Sequence, residues 1–418
     1  MKKIITSGFF FAGLTLTGIA NAQTTTVSNG NNSGSGSLRE ALSSNSDTII
    51  INNDVSTIRI TETLEYDGTG TLNIIGSNLG QTVDASELSG EDDILSINQG
   101  ANFNITNLNF IGNLEEVNDE PEDRVGGVGI FVNVPTNRTG TVAVSLDNVS
   151  VTRTGSHGVH ISDCTVRDEC LSGQGSSASI NLSVSNLIIS RVGLGLQDGD
   201  GIRIDERSAG DITFSSENST FTNVGADGVE LDENDSGNIT ATINGSIFDS
   251  NGEFCNFADD IDDTPCDNDG DPDLDDGFDI DEAGSGSIFV SITDSRFINN
   301  FDEGLDFDEE DDGNVELEVT NSFFLNNEDQ GIRVAEEGDG TVSLFLSSIT
   351  VADNNQDDEA IRVEEEDDGN VVVEINNSNS IDSNDEGLRI EESGSGSGTL
   401  EINDSNFTEF DLDNVNQI

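Results

Sequence analysis

The side chains of this chain that could do chemistry are above all carboxylates. Asp227, Glu230 and Asp232, then Asp276, Asp279 and Asp281, then Glu303, Asp306 and Asp308 fill the same three positions of one repeated pattern. If the copies stack as neighbouring strands about 4.8 Å apart, each pair of unit charges repels by roughly 1 kcal/mol in water, and by more in a partly dry groove. Hard cations offset that repulsion most simply. Ca²⁺ takes about six to eight oxygen ligands in flexible geometry and suits clustered Asp and Glu. A row of Ca²⁺ sites is therefore expected, against the blander reading of an acidic face neutralised by diffuse counterions. A second candidate is the run Asp267, Asp269, Asp271, Asp273 and Asp275, whose alternating carboxylates suit one more cation, although Pro272 stands where an EF-hand loop has Gly.

Catalytic candidates are fewer. Arg203 lies beside Asp205, Asp227 and Glu230 and could serve as the base of a polysaccharide lyase, yet an Arg among carboxylates is more often a charge partner. Carboxyl pairs of glycosidase type, such as Asp279 with Asp306, are too numerous for spacing to single one out. His157 and His160 straddle Gly158 and suit acid or base work, or simple loop packing. The chain has no Trp and one Tyr, Tyr66, which removes the usual sugar-stacking platforms.

These residues are positioned by a repeat. Gly201, Gly228, Gly277, Gly304, Gly331, Ala360 and Gly387 begin like copies, with weaker copies at Gly129 and Gly158, and the spacing returns to 27 residues in four of the six intervals. Another glycine follows nine residues later in each of the seven strong copies, at Gly210, Gly237, Gly286, Gly313, Gly340, Gly369 and Gly396, and a positive φ is expected there. Twenty residues after the reference stand Phe221, Phe248, Phe297, Phe324, Val351 and Phe407, with Ser380 as the one polar member. Stretches such as Val315-Glu316-Leu317-Glu318-Val319 alternate at period two, which marks strands. Three short strands per coil predict an all-β fold, a single right-handed parallel β-helix, with Ile202, Val229, Phe278, Leu305, Ile332, Ile361 and Leu388 in one inward ladder. Arg333, Arg362 and Arg389 are expected to pair with Glu336, Glu364, Glu365 and Glu391 across coils.

Gly34-Ser35-Gly36-Ser37-Leu38-Arg39-Glu40-Ala41-Leu42, followed by Asp47-Thr48-Ile49-Ile50-Ile51, resembles the CSLREA-type start of many secreted bacterial β-helix proteins, with Gly36 in place of the usual cysteine. The resemblance implies export and a β-helix of the pectate-lyase-like kind, and it leaves activity open, because this fold hosts lyases, glycosidases and adhesins. Ser37 and Glu40 have capping-box spacing, so a short helix is expected to cover the first coil.

Composition sets the remaining bounds. The chain has 418 residues, 83 of them Asp or Glu against 15 Lys or Arg, for a formal net charge of -68. Such a surface repels nucleic acid and anionic membranes, and no later apolar run is long enough to span a bilayer. Residues 1–22 read as a secretory signal ending in Ala20-Asn21-Ala22. The expected layout is an N-terminal segment and cap over 23–44, the β-helix over 45–410 with insertions near 163–178 and 252–275, and a tail over 411–418. In an oxidising compartment the four cysteines read as two local disulfides, Cys164 with Cys170 and Cys255 with Cys266. The expectation is a secreted, Ca²⁺-binding structural or adhesive protein whose partner is an extracellular polysaccharide or cell-surface matrix. The alternative is a polysaccharide lyase or glycoside hydrolase working beside the repeated strand.

Overall fold

The computed structural model describes residues 23–44, 46–77, 80–114, 126–164, 171–195, 199–252, 275–352, 354, 359–381, 387–407 and 409–418. The period-two stretches form strands that pair only in parallel, each with its equivalent one coil away. They build the expected right-handed parallel β-helix, a prism with three faces.

The first face holds twelve strands. They begin at Leu64, Leu95, Ile130, Val159, Ile202, Val229, Phe278, Leu305, Ile332, Ile361, Leu388 and Phe410. Nine were expected from the glycine pattern. The other three are Leu64–Tyr66 and Leu95–Ile97, which precede Gly129, and Phe410–Asp413, which pairs with Leu388–Glu392. Residues 411–418, expected as a tail, thus continue the sheets, since Val415–Gln417 also pairs with Ser397–Asn403. The second face runs from Thr24–Val27 to Val415–Gln417, and the third from Thr57–Arg59 to Asn379–Ile381. Phe103–Ile111 and Thr139–Thr152 bend to serve both of these faces.

Alternation sends one side of every strand inward. Ile202, Val229, Phe278, Leu305, Ile332, Ile361 and Leu388 form the expected ladder and are fully buried. Phe221, Phe248, Phe297 and Phe324 stack on the third face with ring centroids 4.8, 4.6 and 5.0 Å apart. Offset stacking of this kind adds roughly 0.5–1.5 kcal/mol per pair beyond the area buried. At the corner beside the phenylalanines, Asn251, Asn300, Asn327 and Asn354 form a buried amide ladder, each Nδ2 donating to the next Oδ1 at 2.9–3.1 Å.

The glycines nine residues into each copy do not have positive φ. Their requirement is close approach: a Cβ on Gly313 would collide with the carbonyl oxygen of Gly286 in the neighbouring coil and with the Glu309 side chain. Positive φ is found instead at the corner between the second and third faces, where Asn186, Asn218, Gly245, Asp294, Asn321, Ser348, Asn377 and Asp404 stand. Asn and Asp tolerate that conformation better than other residues with a side chain. The expected cap forms, with its reciprocal bond one residue earlier than a capping box places it, at Gly36 and not at Ser37. Ser37 Oγ accepts the Glu40 N–H at 3.2 Å, Glu40 Oε2 accepts the Gly36 N–H at 2.6 Å, and the helix Leu38–Leu42 buries Leu38, Ala41 and Leu42.

Candidate metal centre

One residue before the reference glycine stand Asp200, Asp227, Asp276 and Glu303, and the parallel register stacks them. Asp200 Oδ1 accepts the N–H of Asp227 at 3.2 Å, Asp227 Oδ1 that of Asp276 at 2.6 Å, and Asp276 Oδ1 that of Glu303 at 2.7 Å. These bonds fix each carboxylate against the next coil. The outward strand positions Arg203, Glu230, Asp279, Asp306 and Arg333 form a second row in register beside them.

The nine carboxylates singled out in the sequence do lie together, but arginines reach part of them from neighbouring coils. Arg203 donates to Asp205 at 2.9 Å, to Glu230, and to Asp232 at 3.4 Å. Arg207 grips both oxygens of Asp232 at 2.5 Å. Arg333 donates to both oxygens of Asp306 at 2.6 Å and to Asp308 at 2.9 Å. Among the described residues no ion pair reaches Asp276, Asp279, Asp281 or Glu303, which lie between these arginines.

The electrostatics follow from that gap. Burial, with Glu303 and Asp227 nearby, pushes the Asp276 carboxyl well above the usual range. Burial and then Asp281 do the same to Asp279. Glu303 is pushed up to about 9 by burial and Asp306. Burial raises Asp306 to about 7, even against the Arg333 charge. A cation would relieve all four. Asp276, Glu303 and Asp306 each offer an oxygen within 4.8 Å of the others, and so do Asp302, Glu303 and Asp329, so that two triads share Glu303. The donors are all carboxylate oxygens, the set a hard cation such as Ca²⁺ requires, and they fit it. Two more triads exist, Asp200–Asp227–Glu230 and Glu230–Asp279–Asp281. In both, Glu230 is held by the Arg203 guanidinium, as Asp306 of the first triad is held by Arg333.

Asp302 and Asp329 were missed in the sequence. The signal was present one position further out, where Asp275, Asp302 and Asp329 recur two residues before the reference glycine. Asp267, Asp269, Asp271 and Asp273 lie outside the described residues, as do Cys170, Cys255 and Cys266. Cys164 is buried and disulfide-bonded.

The catalytic candidates sit inside a wall of ion pairs. His160 Nε2 lies 2.6 Å from Asp205 Oδ2 with both side chains fully buried, and the His157 and His160 rings are 4.7 Å apart. His157 Nδ1 is 3.0 Å from Asp200 Oδ2, and although burial favours the neutral acid, this contact holds Asp200 below the ordinary carboxylate range. Arg203, spread over the four carboxylates of Asp200, Asp205, Glu230 and Asp232, has the surroundings of a charge-pairing cation. The Arg pairs further along also differ in detail from the expected ones. Arg362 reaches Glu364 on its own strand, and Arg389 reaches Glu391 and, across coils, Glu359. Glu336 and Glu365 point inward and are fully buried.

A groove of about 440 Å³ lies on the second face, lined by Thr240, Phe289, Glu316, Phe345, Val372 and Glu374 among others. Phe289 and Val372 are exposed in it.

No protein-family profile matches the chain, and no curated protein sequence matches it. Solved structures do. The A-module of the mannuronan C-5 epimerase AlgE4 of Azotobacter vinelandii superposes with a TM-score of 0.51 at 14% identity, covering 93% of this chain and 94% of that one. The catalytic unit of a GH87 alpha-1,3-glucanase from Streptomyces thermodiastaticus gives 0.46 at 13% identity over 93% and 70% of the two chains. The pectate lyase Pel9A gives 0.44 at 13% identity over 77% and 78%. At such identities the likeness is one of fold.

Proposed function

We propose that this chain is an exported β-helix protein that holds Ca²⁺ on the outward carboxylates of its first face and acts there on an extracellular polysaccharide. The observation that carries the reading is the pair of triads that share Glu303, an all-oxygen donor set whose Asp306 is also bound by Arg333. Bound there, the cation would bridge the protein to the acidic groups of a glycan that a chain of charge -68 would otherwise repel. Asp276, Glu303, Asp306, Asp302 and Asp329 would hold it. Asp279, half-buried one rung before Asp306, would be the carboxyl beside this donor set to exchange a proton with a bound glycan. An enzyme acting on the glycan, of the lyase or hydrolase kind, is favoured over a purely structural or adhesive role, because the AlgE4 A-module that shares the fold belongs to a mannuronan C-5 epimerase. Export itself rests on residues 1–22, outside the described residues, and no described helix is long and apolar enough to cross a membrane. The local pairs Cys164–Cys170 and Cys255–Cys266 belong to the same reading.

The test is incubation of the protein with uronic, sulfated and neutral polysaccharides in Ca²⁺ or in chelator, following unsaturated sugar, reducing ends and sedimentation with the glycan. Ca²⁺-dependent product that is lost in Glu303→Gln supports the reading. Ca²⁺-dependent binding without product returns the protein to the adhesive role. The groove on the second face favours a second reading, in which a neutral glycan lies on Phe289 and Phe345 without a cation. Binding that survives chelation but is lost in Phe289→Ala would select it.

A further inference from the structure

A row of acidic side chains runs through the interior of the prism, apart from the outward strip. Glu206, Glu233, Glu282, Glu309, Glu336, Glu365 and Glu392 occupy one register position on successive first-face strands. Asp163, whose N–H bonds to Asp205 O, continues the row by one coil. All eight are at most 1% exposed. Each turn offers the row a single kind of donor, a backbone amide. Gly237, Gly286, Gly369 and Gly396 donate to Oε1 of the glutamate four residues earlier at 2.6–3.0 Å. Oε2 of Glu233, Glu282 and Glu365, and both oxygens of Glu336, are buried without a protein donor. Consecutive carboxyls from Asp163 to Glu336 are within hydrogen-bonding reach of one another.

Two ionised carboxylates have no hydrogen to share and would repel strongly away from water. Two carboxyls with one proton between them form a short charge-assisted hydrogen bond. The ends of the row need no such proton. Asp163 accepts the N–H groups of Ser176 at 2.5 Å and Arg207 at 2.9 Å, and Glu392 Oε2 accepts from the side-chain amide of Asn414. The charged groups facing the row from the turns around it are Asp205 at Asp163, Asp311 at Glu309, and Asp367 and Asp368 at Glu365, all acidic. From the side of the second face it meets the glycine amides already named.

We propose that Asp163, Glu206, Glu233, Glu282, Glu309 and Glu336 form a buried proton-sharing column, continued by Glu365 and Glu392 as its capped end, in which protons taken up on folding join one coil to the next and whose loss in alkali unlocks the stack. Burial and the neighbouring members push Glu206 and Glu282 up to about 10 and Glu336 to about 9, while Glu365, nearer the capped end, rises to about 7. Raised values mean that the folded state binds more protons than the unfolded chain. The stabilisation is therefore complete below the unfolded value near 4.3 and is lost as pH climbs through about 7 to about 10.

The experiment uses the whole chain in excess Ca²⁺, so that the outward strip stays constant, and compares it with Glu309→Gln and Glu365→Gln. Infrared difference spectra in neutral buffer read un-ionised carboxylic acid, and melting is followed from pH 6 to 10. The expected result is an acid carbonyl band that shrinks in Glu309→Gln, and a melting temperature that falls with pH in the parent but less steeply in that variant, whose amide supplies its own donor. If Glu309→Gln does not fold, the Glu365→Gln difference gives the same reading from the end of the column. An acid band unchanged by both substitutions would overturn the proposal, and so would parallel pH profiles. A melting temperature set by the concentration of Na⁺ or K⁺, with no proton uptake on folding, would overturn it in favour of bound cations.

Discussion

Arg333 donates to both oxygens of Asp306 at 2.6 Å from the following coil, and this ion pair marks where the acidic strip ceases to be self-repelling. Arg203 marks the other boundary through Glu230. Between them lie Asp276, Asp279 and Glu303, which no ion pair reaches among the described residues.

Removing metal tests this directly. Ca²⁺ bound to the folded state and not to the unfolded chain stabilises by about 2.7 kcal/mol at a hundredfold excess over its dissociation constant. Chelator should lower the melting temperature, and Ca²⁺ should restore it. Glu303→Gln should remove most of that difference because Glu303 belongs to both triads. Equal melting in Ca²⁺ and in chelator, at matched ionic strength, would leave only diffuse counterions.

Close approach between coils makes a second prediction. Gly313→Ala drives a methyl group against the Gly286 carbonyl and should cost about 1–3 kcal/mol by overpacking, read in denaturant unfolding. Gly70→Ala meets nothing within 4 Å and should change stability by less than about 0.5 kcal/mol. Similar losses at both sites would mean that contact between coils is not what sets the requirement for glycine at Gly313.

The cap gives a third. Ser37→Ala removes an acceptor from the Glu40 N–H and should cost about 1 kcal/mol, concentrated in the first coils, where hydrogen exchange of Thr48–Ile51 would report it. Uniform loss of protection along all coils would contradict a local role.

Reduction should loosen the inserted loops while the stacked core stays folded, and peptide mapping of the oxidised protein should recover Cys164–Cys170 and Cys255–Cys266. A crosslink between the two pairs would show that the insertions meet in space.

Period-two alternation and the 27-residue return were enough to read the coil, the inward ladder and the phenylalanine stack, because each follows from a single residue type at a fixed offset. The glycine positions were legible and their cause was not. Close approach and positive φ both select Gly, and only the stacked geometry separates Gly313 from corner residues such as Asn321. The outward strip was visible as composition, but its division was not. Whether Arg333 answers Asp306 or Glu336 depends on which side of the strand each carboxylate takes. Glu336 continues the period-two alternation of Ile332 and Val334, which placed it inward, yet a charged residue there reads as a surface partner until the column of its equivalents is seen.

The parallel pairing of each strand with its equivalent one coil away has a mechanical consequence. Pulled by its two ends, a molecule in which each coil is bonded to its immediate neighbours should yield in steps. Each step would release one repeat, and a 27-residue coil drawn out fully adds roughly 90 Å of contour length. The force trace of a single molecule would then be a sawtooth of nearly even teeth, with longer intervals where the 49-residue copy between Gly228 and Gly277 gives way.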